Sequence, residues 1–176
     1  MLNLEEIKDH VIETGYNELQ QINIEISWHS VSGGLVTYGD LYIPQNNGFN
    51  HIGYYIYIHP LLKKAGKAEI RGGIAHENVH LLRDIRQSRK QAEEEVRIYY
   101  HSKSYRIRDE ICTDLEAINR GFGKEILALE IFREDSLSHN GFGIPSAYLK
   151  EILATMQDFP GRFTYKDYIN MFGNGR

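Results

Sequence analysis

Five residues, His76-Glu77-Asn78-Val79-His80, constrain this chain more than any other stretch. They lie in a segment, residues 65–85, that can be drawn as one helix. Side chains four apart on a helix share a face, so the two imidazoles can grip a single ion. Zinc suits that pair, because neutral imidazole is one of its usual ligands. Glu77 points into the same space from the adjoining turn position. There it can serve as a general base toward a metal-bound water rather than as a ligand. Apolar Ile74, Ala75, Val79, Leu81 and Leu82 surround the motif, the pattern of a packed helix rather than a solvated one.

A catalytic zinc site uses three protein ligands and keeps the fourth position open for water. Several residues downstream could supply the third. The run Glu93, Glu94, Glu95 reads as a solvated helix face. Asp84, one turn past His80, is placed to support a ligand from behind. His101 lies in a tyrosine- and lysine-rich stretch that reads as a helix end or loop. The strongest candidate is Glu110, which begins Glu110-Ile111-Cys112-Thr113-Asp114, an E-x-x-x-D pattern. Glu110 and Asp114 are one helical turn apart. The glutamate can then bind metal while the aspartate holds the free N–H of a ligating histidine and fixes its tautomer. Spacing alone does not rank the two carboxylates, and Asp114 stays open as the third ligand.

The two motifs together, H-E-x-x-H on one helix and E-x-x-x-D on a later one, resemble the gluzincin metallopeptidases. The short chain looks like their compact, single-domain minigluzincin type, and the resemblance covers about residues 50–125. It implies a zinc peptidase with one Zn2+ per chain held by His76, His80 and Glu110, Glu77 as base, and Asp114 behind a histidine. The implied fold is α+β and zincin-like: an N-terminal helix and a small sheet of three or more strands packed on the motif helix, then a helical half. The strand ahead of the motif helix, residues 51–58, would line the cleft. An extended peptide or protein substrate would pair along its edge, which makes Tyr55 and Tyr57 candidate substrate-strand residues. His139, Tyr148 and His101 are candidates for a second group stabilising the oxyanion. Metzincins need H-E-x-x-H-x-x-G-x-x-H, and here Arg83 and Arg86 stand at the glycine and last histidine positions. Two rival functions remain: a catalytically silent or regulatory protein that keeps the fold and metal and binds a protein partner, and a zinc enzyme acting on a non-peptide bond. Retention of Glu77 favours catalysis, since a purely structural site needs no base.

At 176 residues the chain fits one domain, residues 1–176, large enough for its own core. Hydrophobic content of 41% and charged content of 25% are globular values. A net charge of −4 and a pI near 6.1 argue against nucleic acid as the main partner. The basic residues Arg83, Arg86, Arg89, Lys90, Arg97, Lys103, Arg106 and Arg108 read as a solvated helical hairpin with Glu93 to Glu95 as its internal partners. Cys112 is the single cysteine, which excludes an intrachain disulfide and a thiolate zinc cluster, and it is expected to face the core. No apolar run reaches membrane-spanning length, and the N-terminus lacks a signal-peptide core. The expected location is therefore cytoplasmic, with no membrane partner.

Apolar spacing predicts a helix over residues 3–18, which Gly15 could end early. Alternation predicts strands over 21–28, 35–43 and 51–58, with a turn at Ser32-Gly33-Gly34 and a loop over 44–50. Gly72 and Gly73 fall inside the motif helix, where glycine costs stability. Either a close neighbour leaves no room for side chains, or the helix starts at Gly73. Residues 88–119 read as helical with a break near 101–105. Gly121-Phe122-Gly123 separates them from a helix over 124–132, and 136–143 read as a loop. Further helices are expected over 146–156 and over 164–172, the latter capped by Thr164.

Overall fold

Helix α1 (Leu4–Gly15) begins where the Asn3 side chain accepts from the Glu5 and Glu6 N–H groups, and it buries Leu4, Ile7, Val11 and Ile12. It does end at Gly15, and a single turn, Asn17–Leu19, leads into the sheet. The computed structural model describes residues 2–30, 34–45, 48–137, 142–158 and 160–173. Ser32 and Gly33 of the expected turn lie outside the described residues.

Three strands follow: β1 (Ile24–Trp28), β2 (Val36–Gln45) and β3 (Gly48–Ile58). Their order is β1-β3-β2, with β1 parallel and β2 antiparallel to β3. The last strand in sequence is therefore central. β1 starts three residues later than the alternation predicts, because the Ile22 N–H turns back to the Leu19 carbonyl. β2 and β3 run well into the expected loop, pairing Pro44 with Phe49 and Gln45 with Gly48. Pro44 is tolerated there because β2 is an edge strand. A register shift between Leu41 and Tyr42 marks a bulge in this long hairpin.

The longer elements that follow among the described residues are helices: α2 (Lys67–Asp84), α3 (Arg89–His101), α4 (Lys103–Ala117), α5 (Gly123–Ser136), α6 (Ser146–Asp158) and α7 (Tyr165–Phe172). The α3–α4 break falls at Ser102, which caps α4 by accepting the Tyr105 N–H. Between α4 and α5, Gly121 takes φ +98°, a left-handed conformation that glycine adopts without a Cβ penalty. Thr164 caps α7 in a capping box with Asp167. The molecule is thus an α+β fold with its small sheet in the N-terminal half. Among the described residues, no helix is long and apolar enough to cross a membrane.

Helix α2 is the hub. It touches α1, α4, α5, β2 and β3, and Ile70, Ile74, Ala75 and Leu81 are fully buried. From the sheet, Ile56 and Ile58 face it in the same apolar cluster, which extends from Leu4 to Tyr168. The two glycines explain how α2 is packed so closely on both sides. A β-carbon on Gly72 would overlap the Glu125 carbonyl of α5, and one on Gly73 would overlap the Val36 side chain of β2. Close packing, and not a late helix start, accounts for Gly72-Gly73. Adding volume at such contacts forces backbone shifts.

Candidate metal centre

The one-turn spacing of His76 and His80 places both rings on one face of α2, with centroids 5.1 Å apart. Helix α4 presents Glu110 and Asp114 to that face by the same periodicity. His76, His80 and Glu110 each offer a donor atom, and these atoms all lie within 4.8 Å of one another. Glu110 Oε2 is 3.2 Å from His76 Nε2.

Asp114 has a different position. Its Oδ1 is 2.8 Å from His76 Nδ1, and its Oδ2 accepts the Ile144 N–H at 2.8 Å. Gly143 makes the second bond possible, since a β-carbon there would stand 2.5 Å from Asp114 Oδ2. With both oxygens engaged, Asp114 is set behind His76 while Glu110 stands among the histidines. An imidazole that donates from Nδ1 keeps the lone pair of Nε2 for a cation.

Electrostatics in the absence of a cation follow from burial. Burial by itself would lower the His76 pKa, but hydrogen bonds to Asp114 and Glu110 outweigh it and hold the ring well above the usual histidine value. His80 goes the other way, down to about 3, through burial and the charge on His76. Burial would raise the Glu110 carboxyl, yet the His76 hydrogen bond and charge bring it down to about 2. Glu77 is pushed up to about 8, mainly by burial. Opposed shifts of this kind arise both in functional sites and in structural ion-pair networks.

Three supports of the site have no local sequence signature. Tyr99 on α3 donates its hydroxyl to Glu110 Oε1 at 2.5 Å. Tyr38 on β2 stacks on His80, with centroids 5.7 Å apart and planes 9° from parallel. Arg83 holds Asp109 through a 2.7 Å hydrogen bond, and the other oxygen of Asp109 is 3.9 Å from His80 Nδ1. Asp84 does not support His80 directly as its helical position suggests. It accepts the Tyr38 hydroxyl at 2.8 Å and so reaches His80 through that ring.

Other expected residues lie elsewhere. Tyr55 and Tyr57 alternate with buried Tyr54, Ile56 and Ile58, so they stand on the sheet face turned away from the α2 side. Their rings stack on each other at 4.1 Å. β3 is also paired on both edges over 54–58 and cannot accept a substrate strand there. The strand beside the centre is β2, which carries Tyr38 and forms an outer edge of the sheet. Tyr148 stacks on Phe172 at 4.2 Å as part of the α6–α7 packing. His101 is exposed at the end of α3, and His139 lies outside the described residues. Cys112 is only half-buried and does not join the donor cluster. Comparison with protein-family models, with curated proteins and with solved structures found no match.

Proposed function

We propose that this protein is a zinc-dependent metallopeptidase of the gluzincin type, with a zincin-like fold. One observation carries the reading: His76, His80 and Glu110 converge to within 4.8 Å, beside a buried Glu77 and in front of an Asp114 bonded to His76 Nδ1. Two imidazoles and one carboxylate are a donor set that suits zinc. When bound, zinc supplies Lewis acidity toward a carbonyl oxygen and lowers the pKa of a coordinated water.

The protein's own groups do the rest. His80 presents a neutral nitrogen. His76, whose pKa is held well above the usual value without a cation, would release its Nε2 proton to solvent on binding metal while Asp114 keeps the proton on Nδ1. Glu77 accepts a proton from the attacking water and passes it to the leaving amine. A cation in the centre would favour the charged form of Glu77 and so bring its pKa down from the metal-free value. Substrate adds as an extended strand to the outer edge of β2, not to β3. That edge leads past Tyr38 to His80.

The decisive experiment pairs metal analysis with hydrolysis of a general protein substrate such as casein. The expected outcome is one zinc per chain, lost in His80→Ala, together with proteolysis that Glu77→Gln abolishes without releasing zinc. Full activity in Glu77→Gln, or activity that persists under chelation, would remove the proposal.

A further inference from the structure

Helix α3 contributes no buried residue, yet one of its side chains reaches the metal centre. The chain reverses at Ser102, which folds the last turn of α3 back over α4. Tyr99 thereby meets Glu110, eleven positions ahead of it, through the 2.5 Å hydrogen bond between its hydroxyl and Oε1. Arg106 steadies the ring. It lies one turn before Glu110 on α4, with its guanidinium 5.5 Å from the Tyr99 ring and 4.5 Å from the Phe142 ring. The two oxygens of Glu110 are therefore divided. Oε1 is taken by Tyr99, and Oε2 faces His76 Nε2 at 3.2 Å.

We infer that Tyr99 is a positioning residue that makes Glu110 a one-oxygen metal ligand. This rests on the proposed reading of the cluster as a metal centre. The reason is chemical. A glutamate with both oxygens free can bind a cation through both, filling a position that a catalytic centre keeps open for water. A hydroxyl donating to an ionised carboxylate at this distance is among the stronger hydrogen bonds in proteins. It holds one oxygen back and fixes the rotation of the other. Partners behind a metal ligand of this kind change metal affinity about 10–100-fold when removed.

The test uses the full chain, with Zn2+ affinity measured by competition against a chromophoric chelator and with Co2+ as a spectroscopic substitute. Tyr99→Phe removes only the hydroxyl and keeps the ring against Arg106. It is expected to weaken Zn2+ binding about 10–100-fold and to change the visible Co2+ band intensity as Glu110 shifts toward two-oxygen binding. Arg106→Gln loosens the ring but keeps the hydroxyl, so a smaller loss in the same direction is expected. A folded Tyr99→Phe with wild-type Zn2+ affinity and Co2+ spectrum overturns the inference, and so does Arg106→Gln losing more than Tyr99→Phe. A wild-type protein that binds neither ion overturns the metal centre itself, which is a separate outcome.

Discussion

His76 Nδ1 and Asp114 Oδ1 are 2.8 Å apart, and this bond joins the two helices that form the candidate metal centre. The same carboxylate holds the Ile144 N–H, so the chain entering α6 is tied to the histidine through one side chain. Asp114→Asn keeps the shape and removes the charge. It is expected to weaken zinc binding about 10–100-fold, measured by chelator competition. Asp114→Ala should in addition destabilise the metal-free protein by about 1–3 kcal/mol, because the buried Ile144 N–H loses its acceptor. Chemical denaturation of both variants checks the difference between them.

On the proposed reading of the cluster as a zinc centre, removing the metal should lower stability through linkage alone. A ligand that binds only the folded state stabilises by about 4 kcal/mol when present at roughly a thousand times its Kd. Thermal unfolding should therefore shift downward on chelation and recover when zinc is added back. A His80→Ala variant should show no such shift, since its ligand set is broken.

Glu77 gives a pH signature in the metal-free protein. Its carboxyl moves from 4.5 to about 8 on folding through burial. The native state therefore binds its proton more tightly than the unfolded state, and the sign follows from that. The stabilisation is fully present below pH 4.5 and is lost as pH rises toward about 8. Glu77→Gln removes this titration. In denaturation curves without zinc, the variant should gain on the wild type across that window, by an amount on the order of a few kcal/mol at its alkaline end. A stability difference that does not change with pH would show that Glu77 does not carry a raised pKa. On the proposed function, hydrolysis would run in the opposite direction, since the same variant would lose the proposed base.

The glycine pair of α2 can be tested by which neighbour each one meets. A methyl group on Gly72 confronts the Glu125 backbone carbonyl, whereas one on Gly73 confronts the Val36 side chain. A side chain can rotate away more readily than a packed helix backbone. Gly72→Ala should therefore lower the unfolding temperature more than Gly73→Ala, although both add helix propensity. The cost at Gly72 is expected to be about 1–3 kcal/mol net, the range for overpacked cores.

Sequence periodicity alone determined much of this site. A helix repeats every 3.6 residues, so the spacing of His76 and His80, and of Glu110 and Asp114, settles which side chains share a face wherever those helices lie. The break near Ser102, the end of α1 at Gly15 and the Thr164 cap were legible for the same reason, because each depends on a few neighbouring residues. Tertiary structure decided the rest. Only the packing of α2 against α4 placed Glu110 among the histidines and Asp114 behind them. Only strand pairing, which no local pattern encodes, put β3 at the centre of the sheet and left β2 as the edge beside His80. Tyr38 and Tyr99 joined the centre from a strand and a helix distant in sequence. Such contacts depend on how the chain closes long loops between elements, and the one-dimensional pattern carries no record of that closure.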